Sequence, residues 1–121
     1  MAYDVPGMTS EKNQGNLGDG PLVIMMDATS IAHDGFRKHI KEVAEAHHIP
    51  VQWATTPGGG TDAGSIHVAN EGIPTITIGV PLRYMHSNVS VMHTDDYENS
   101  VQLISEHVRS LTDVRYQSIM L

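Results

Sequence analysis

The sequence predicts an α/β domain with a mostly parallel sheet, and three observations carry that prediction. Aliphatic or β-branched runs recur at Leu22–Met26, Val51–Thr55 and Ile73–Val80, each bounded by Gly, Pro or Asp. Between and after them lie segments whose apolar residues repeat at helical spacing. Alternation of the two patterns is that of βαβ units, whose crossovers are right-handed.

Taken in order, residues 1–20 are rich in Gly, Asn and Asp, show no period and read as an N-terminal loop. A structureless loop of that length is uncommon in a compact domain and suits either a mobile segment or one that follows something upstream. Leu22–Met26 is continuously apolar, as in a strand buried on both faces. From His33 to His48, Phe36, Ile40, Val43, Ala44 and His47 fall on one helical face with charges opposite. His33-Asp34 reads as the start of that helix and His47-His48 as its last turn. Pro50 ends it and opens the second strand, Val51–Thr55. Gly58-Gly59-Gly60 makes a turn, and a short helix runs from about Thr61 to Asn70, stopping near Gly72. Ile73–Val80 is the third strand, and Val89–Met92 a short candidate fourth. From Asp95, the spacing of Tyr97, Val101, Ile104, Val108 and Leu111 predicts a helix that packs this face on the sheet. Residues 113–121 read as a tail.

At 121 residues the chain is one domain's worth. A net charge of −7 and a pI near 5.5 argue against nucleic acid and anionic membrane, both of which need a basic footprint. There is no cysteine, so neither disulfides nor thiolate metal sites are available. No apolar run approaches the length of a membrane span, and no signal-like n- and h-region opens the chain. A cytoplasmic location is expected. Eight histidines keep metal chemistry open.

Two loops stand out. Gly58-Gly59-Gly60-Thr61-Asp62-Ala63 and Pro81-Leu82-Arg83-Tyr84-Met85-His86-Ser87 each follow a strand. In open α/β sheets ligands bind at strand C-terminal ends, so the two are expected to form one rim of a site. Glycine reaches positive φ at no steric cost, and Thr61 is expected to cap the following helix with Asp62 in its first turn. His86, with Ser87 beside it to bond neighbouring backbone, reads either as a metal ligand or as a solvated loop histidine. Asp62 reads as a site carboxylate or as a first-turn charge. Arg83 reads as a fork for a substrate carboxylate or as a solvated side chain. His93, Asp95 and Asp96 form a possible O/N cluster, but Thr94-Asp95-Asp96 reads better as a helix start. His67, five residues after Asp62, shares no i, i+4 face with it. Nucleophile-elbow, phosphate-loop and His-Glu-x-x-His motifs are absent.

Five segments together, Ala2–Gly7, Gly18–Pro21, Gly58–Ala63, Glu71-Gly72-Ile73-Pro74-Thr75 and Pro81–Ser87, resemble in order and spacing the C-terminal part of the glutamyl aminopeptidase family. These are tetrahedral, co-catalytic metallo-aminopeptidases, called cellulase M or endoglucanase in older naming. The resemblance covers nearly the whole chain. It implies a three-layer α/β/α, zinc-exopeptidase-like fold, incomplete at its N-terminal side, with residues 21–112 forming the C-terminal part of the catalytic domain. It implies a peptide substrate and two divalent ions, zinc or cobalt, whose shared water attacks the peptide carbonyl while a glutamate acts as base. His86 matches the family's last metal ligand, in a Tyr-x-His-Ser context. Gly60, Thr61 and Asp62 match a loop lining the site, and Arg83 a basic position near the substrate. The family's remaining ligands, its Glu-Glu pair and its small β-barrel domain lie upstream of the matched segments, and Asp4 belongs to the segment after those ligands. The expected partners are therefore the N-terminal part of the enzyme or further copies of this chain. Met1 fits an internal methionine of a longer reading frame. Glycoside hydrolysis, which the older naming suggests, needs two suitably spaced carboxylates that the loops do not offer.

Overall fold

The computed structural model describes residues 5–9 and 13–120. Its sheet has three strands, β1 (Leu22–Asp27), β2 (Gln52–Thr56) and β3 (Thr77–Gly79), in the order β2-β1-β3. Four helices accompany it: α1 (Asp34–Ala46), α2 (Ala63–Ile66), α3 (Thr94–Ser110) and α4 (Asp113–Met120). Ala2-Tyr3-Asp4, from the first of the five matched segments, lie outside the described residues.

β1 and β2 pair in parallel, Leu22 with Gln52 through Asp27 with Thr56, with a bulge between Ile24 and Met26. β1 and β3 pair antiparallel, Leu22 opposite Gly79 and Ile24 opposite Thr77. The sheet is thus mixed rather than mostly parallel. The reason lies in the β2–β3 connection. A parallel return needs a crossover long enough to carry the chain back along the sheet, and α2 is a single turn. β3 therefore starts near the end of β1 and runs the other way. Only Thr77–Gly79 of the expected Ile73–Val80 strand joins the ladder. Val89–Met92 contributes an isolated bridge, Val91 with Arg83, instead of a fourth strand.

The main core joins Val23 of β1 to Ile40, Val43 and Ala44 of α1, Ile49 and Leu103 of α3, with Val51, Ile76 and Ile78 against it. Burying side chains of this size stabilises by roughly 1.5–3 kcal/mol each. Leu22, Ile24 and Ala54 form a second cluster on the other face. α1 buries Ile40, Val43 and Ala44 of the predicted face, with Phe36 half-buried and His47 exposed, and is capped by His33, whose ring accepts from the Phe36 amide.

α3 does not bury the predicted face. Tyr97, Val101, Ile104 and Val108 are 52, 49, 45 and 63% exposed, while Asp96, Ser100, Leu103 and His107 are buried. The buried stripe is polar because its groups are met from within. Asp96 accepts from two loop amides, Ser100 bonds the Asp96 carbonyl at 2.6 Å, and His107 lies 4.8 Å from the His39 ring of α1. Residues 113–120, read as a tail, form α4, which packs on α1. Arg115 pairs with Glu42, and the Tyr116 ring lies 6.4 Å from Phe36.

Candidate functional site

The antiparallel course of β3 divides the two loops. Those following β1 and β2 leave at one edge of the sheet, beside Asp27 and Thr56. The loop following β3 leaves at the other, beside Leu22. The Gly58–Ala63 and Pro81–Ser87 segments therefore leave the sheet at opposite strand ends.

At the first edge the organising group is Asp27, 5% exposed. Its Oδ1 accepts from the Thr29 amide at 2.7 Å, the Ser30 amide at 2.8 Å and the Thr29 hydroxyl at 2.8 Å. Its Oδ2 accepts from the Thr61 hydroxyl at 2.7 Å. The Thr61 bond, then the Thr29 amide, hold the carboxyl well below the usual carboxylate range against the opposing effect of burial. Thr61 is accordingly turned to Asp27, with Thr77 Oγ1 at 3.3 Å, and does not cap α2. Asp62 occupies the N-cap position, exposed and without a side-chain capping bond. Of the three glycines Gly60 alone serves close approach, while Gly58 and Gly59 have open space around them. None of Gly58, Gly59 and Gly60 is left-handed, and a Cβ on Gly60 would stand 3.0 Å from the Thr29 methyl. The Ala28 amide bonds Gly59 carbonyl at 2.9 Å, joining the two loops. Asp27 escaped the sequence reading, although Asp-x-Thr-Ser after a strand is the pattern of an Asx turn.

The second edge carries His86. Arg83 and Val91 exchange both backbone hydrogen bonds, at 2.9 and 3.2 Å, and close the loop into a hairpin-like lobe. Ser87 Oγ reaches the carbonyls of Tyr84 and Val89, and Ser90 Oγ that of Tyr84, so Ser87 bonds the backbone as expected. Inside this lobe Tyr84 and His86 both adopt left-handed backbone, φ +59° and +62°. For residues with a Cβ that costs on the order of 1–3 kcal/mol, and such strain clusters where a side chain must be presented. His86 is exposed at the turn, and Arg83 is half-buried at its base.

α3 starts beside this edge, close to the lead-in to β1. Asp96 is fully buried and accepts from the Gly18 and Gly20 amides, both at 2.8 Å. Gly18 and Gly20 are left-handed, φ +90° and +94°, and a Cβ on Gly20 would collide with the Pro50 carbonyl. His93 caps α3 by accepting from the Asp95 amide. These residues make the helix start that their sequence suggested. His67 bonds the Ala63 carbonyl at 2.7 Å. Among the described residues no group of three or more His, Asp or Glu is placed to hold a metal ion.

A family profile described as M42 glutamyl aminopeptidase matches residues 1–103. The chain belongs to that family. A protein of Acetivibrio thermocellus, provisionally named an aminopeptidase, is 38% identical over 89% of this chain and 32% of its own length. The lysyl aminopeptidase of Pyrococcus furiosus is 35% identical over 85% of the chain and 30% of its own. The crystal structure of a TET aminopeptidase from a marine-sediment thaumarchaeote superposes with a TM-score of 0.93 at 32% identity, covering 98% of this chain and 33% of that one. The chain spans about a third of the length of the relatives it matches. No described helix is long and apolar enough to cross a membrane.

Proposed function

We propose that this chain is the C-terminal part of a metal-dependent aminopeptidase, supplying one metal ligand, His86, to a centre whose other ligands and general base come from the N-terminal part. The supporting observation is the braced lobe that holds His86 exposed on left-handed backbone. A neutral imidazole offers one donor, whereas a tetrahedral zinc site takes four. The described residues therefore do not fit a pair of divalent ions by themselves, and no catalytic step is derived through them. When complete, such a centre supplies an activated water for attack on a peptide bond. Arg83, in the same lobe, is the basic group on the substrate side. Gly60, Thr61 and Asp62 are the loop lining the substrate side in this reading, with Thr61 held in place by Asp27 and the Asp62 carboxylate exposed.

The test is hydrolysis of glutamyl, lysyl and leucyl anilides with added zinc or cobalt, by the chain alone and with the N-terminal two thirds of the Acetivibrio thermocellus relative. The panel is broad because the family description says glutamyl and one relative is named lysyl. Silence alone, activity on mixing and its loss in His86→Ala are the expected results. Hydrolysis by the lone chain that His86→Ala leaves intact would overturn the proposal. A non-catalytic, self-associating remnant is the second reading, favoured by the exposed apolar stripe on α3. It predicts oligomers of this chain that stay inactive with any partner.

A further inference from the structure

The outer edge of β3 and the outer stripe of α3 adjoin, and together they form one uncovered face. Among the described residues β3 has a single neighbour, β1, and every residue from Pro74 to Val80 is only half-buried although the run has the composition of an interior strand. Beside it runs a groove of about 600 Å³ lined by Phe36, Ile66, Pro74, Ile78, Ile104 and Val108. Ile66, Ile104 and Val108 are 44, 45 and 63% exposed, and Tyr97 and Val101 extend the apolar strip along α3. Soluble chains seldom leave an apolar strip next to an unpaired strand edge, since either alone invites association. The opposite side of the sheet differs: β2 is flanked by the polar residues Asn13, Gln14 and Asn16, which line a cleft with it.

We propose that this face receives the N-terminal part of an M42 chain, through a strand that adds to the β3 edge and apolar side chains that fill the groove. The proposal rests on the functional reading above and names the surface that reading requires. Length argues for this occupant. The relatives are about three times as long, and the TET structure matches 98% of this chain with only 33% of its own, so most of that fold lies outside what is described here. A second copy fits less well, because it would bring another net charge of −7 against the first.

The experiment mixes the 121-residue chain with the N-terminal two thirds of the Acetivibrio thermocellus relative at tens of micromolar and reads complex formation by native mass spectrometry. Ile104→Asp and Val108→Asp alter solvent-facing positions, so circular dichroism of the isolated chain should be unchanged. Val114→Asp, at an 82% exposed site on α4, is the control. A one-to-one complex is expected for the wild type, for Val114→Asp and for His86→Ala, weakened more than about tenfold by either α3 substitution. No complex, or one indifferent to both α3 substitutions, overturns the proposal. So does a homodimer that uses Ile104 and Val108 and excludes the N-terminal part. A complex that forms as expected but hydrolyses nothing leaves the docking face standing and removes the functional reading.

Discussion

Lowering the pH from 7 to 5 should loosen the α1–α3 interface through its two stacked histidines. His39 and His107 lie 4.8 Å apart by ring centroids, 3 and 8% exposed. The Nδ1 atoms of both are buried with no hydrogen-bond partner among the described residues. Ser110 Oγ stands 3.0 Å from His39 Nε2, Phe36 meets His107 edge-on, and Arg115 and Glu42 face His39 from α4 and α1. Burial, then the neighbouring His39, push His107 down to about 4 from 6.5; burial, then Arg115, also lower His39. The sign follows from proton counting. Between these two values the unfolded chain binds more protons, so stability falls as pH falls from about 6.5 and the loss levels off below about 4. For His107 the loss between pH 7 and 5 is about 2 kcal/mol by linkage, and about 1 kcal/mol after allowing for water at the ring edge. That lowers a urea midpoint by roughly 0.5–1 M. Asp27 and Asp34 act in a different window, since their lowered pKa values contribute stability that is lost only below their unfolded value of 3.8. Urea titrations at pH 7 and 5, read by far-ultraviolet circular dichroism, compare wild type with His107→Gln. If both lose the same stability, the histidine argument is wrong.

Three further outcomes test the loops. Gly20→Ala, forced against the Pro50 carbonyl at φ +94°, should destabilise by about 2–3 kcal/mol in thermal or urea unfolding, while Gly58→Ala, with open space around it, should change stability by less than about 0.5 kcal/mol. Asp27→Ala removes the acceptor shared by Thr29, Ser30 and Thr61; amide exchange at residues 28–30 and 59–61 should accelerate roughly tenfold, with α1 protected as before. Tyr84→Gly relieves left-handed strain at an exposed position, so the melting temperature should hold or rise slightly, where Tyr84→Val should lower it.

The parts of the fold legible in the sequence are those where one local rule decides. Apolar continuity placed β1, helical spacing placed Ile40, Val43 and Ala44 on the buried face of α1, and His33-Asp34 and Thr94-Asp95-Asp96 marked the starts of α1 and α3. The direction of β3 was not legible. Its residues suit either orientation, and the deciding fact is that α2 makes only one turn where the spacing allowed a helix from Thr61 to Asn70. Asp27 was hidden for a related reason: its partners Thr29 and Ser30 are local, but Thr61 comes from a loop 34 residues on.

α3 shows why reading a period is easier than reading its phase. Two stripes one residue apart, Asp96-Ser100-Leu103-His107 and Tyr97-Val101-Ile104-Val108, both repeat at helical spacing. Hydrophobicity alone selects the second for the core. Here the first is inside: Asp96 is bonded to the Gly18 and Gly20 amides and Ser100 to the Asp96 carbonyl, so these groups lose little by burial, while His107 rests on His39 with its Nδ1 unpaired among the described residues. A helix with a mostly hydrogen-bonded polar face inside and an apolar face outside has two neighbours to meet. This chain supplies the first of them, α1 and the lead-in to β1. The second face lies along the β3 edge, on the surface proposed above to receive the N-terminal part of an M42 chain, and that proposal accounts for an apolar stripe that faces outward.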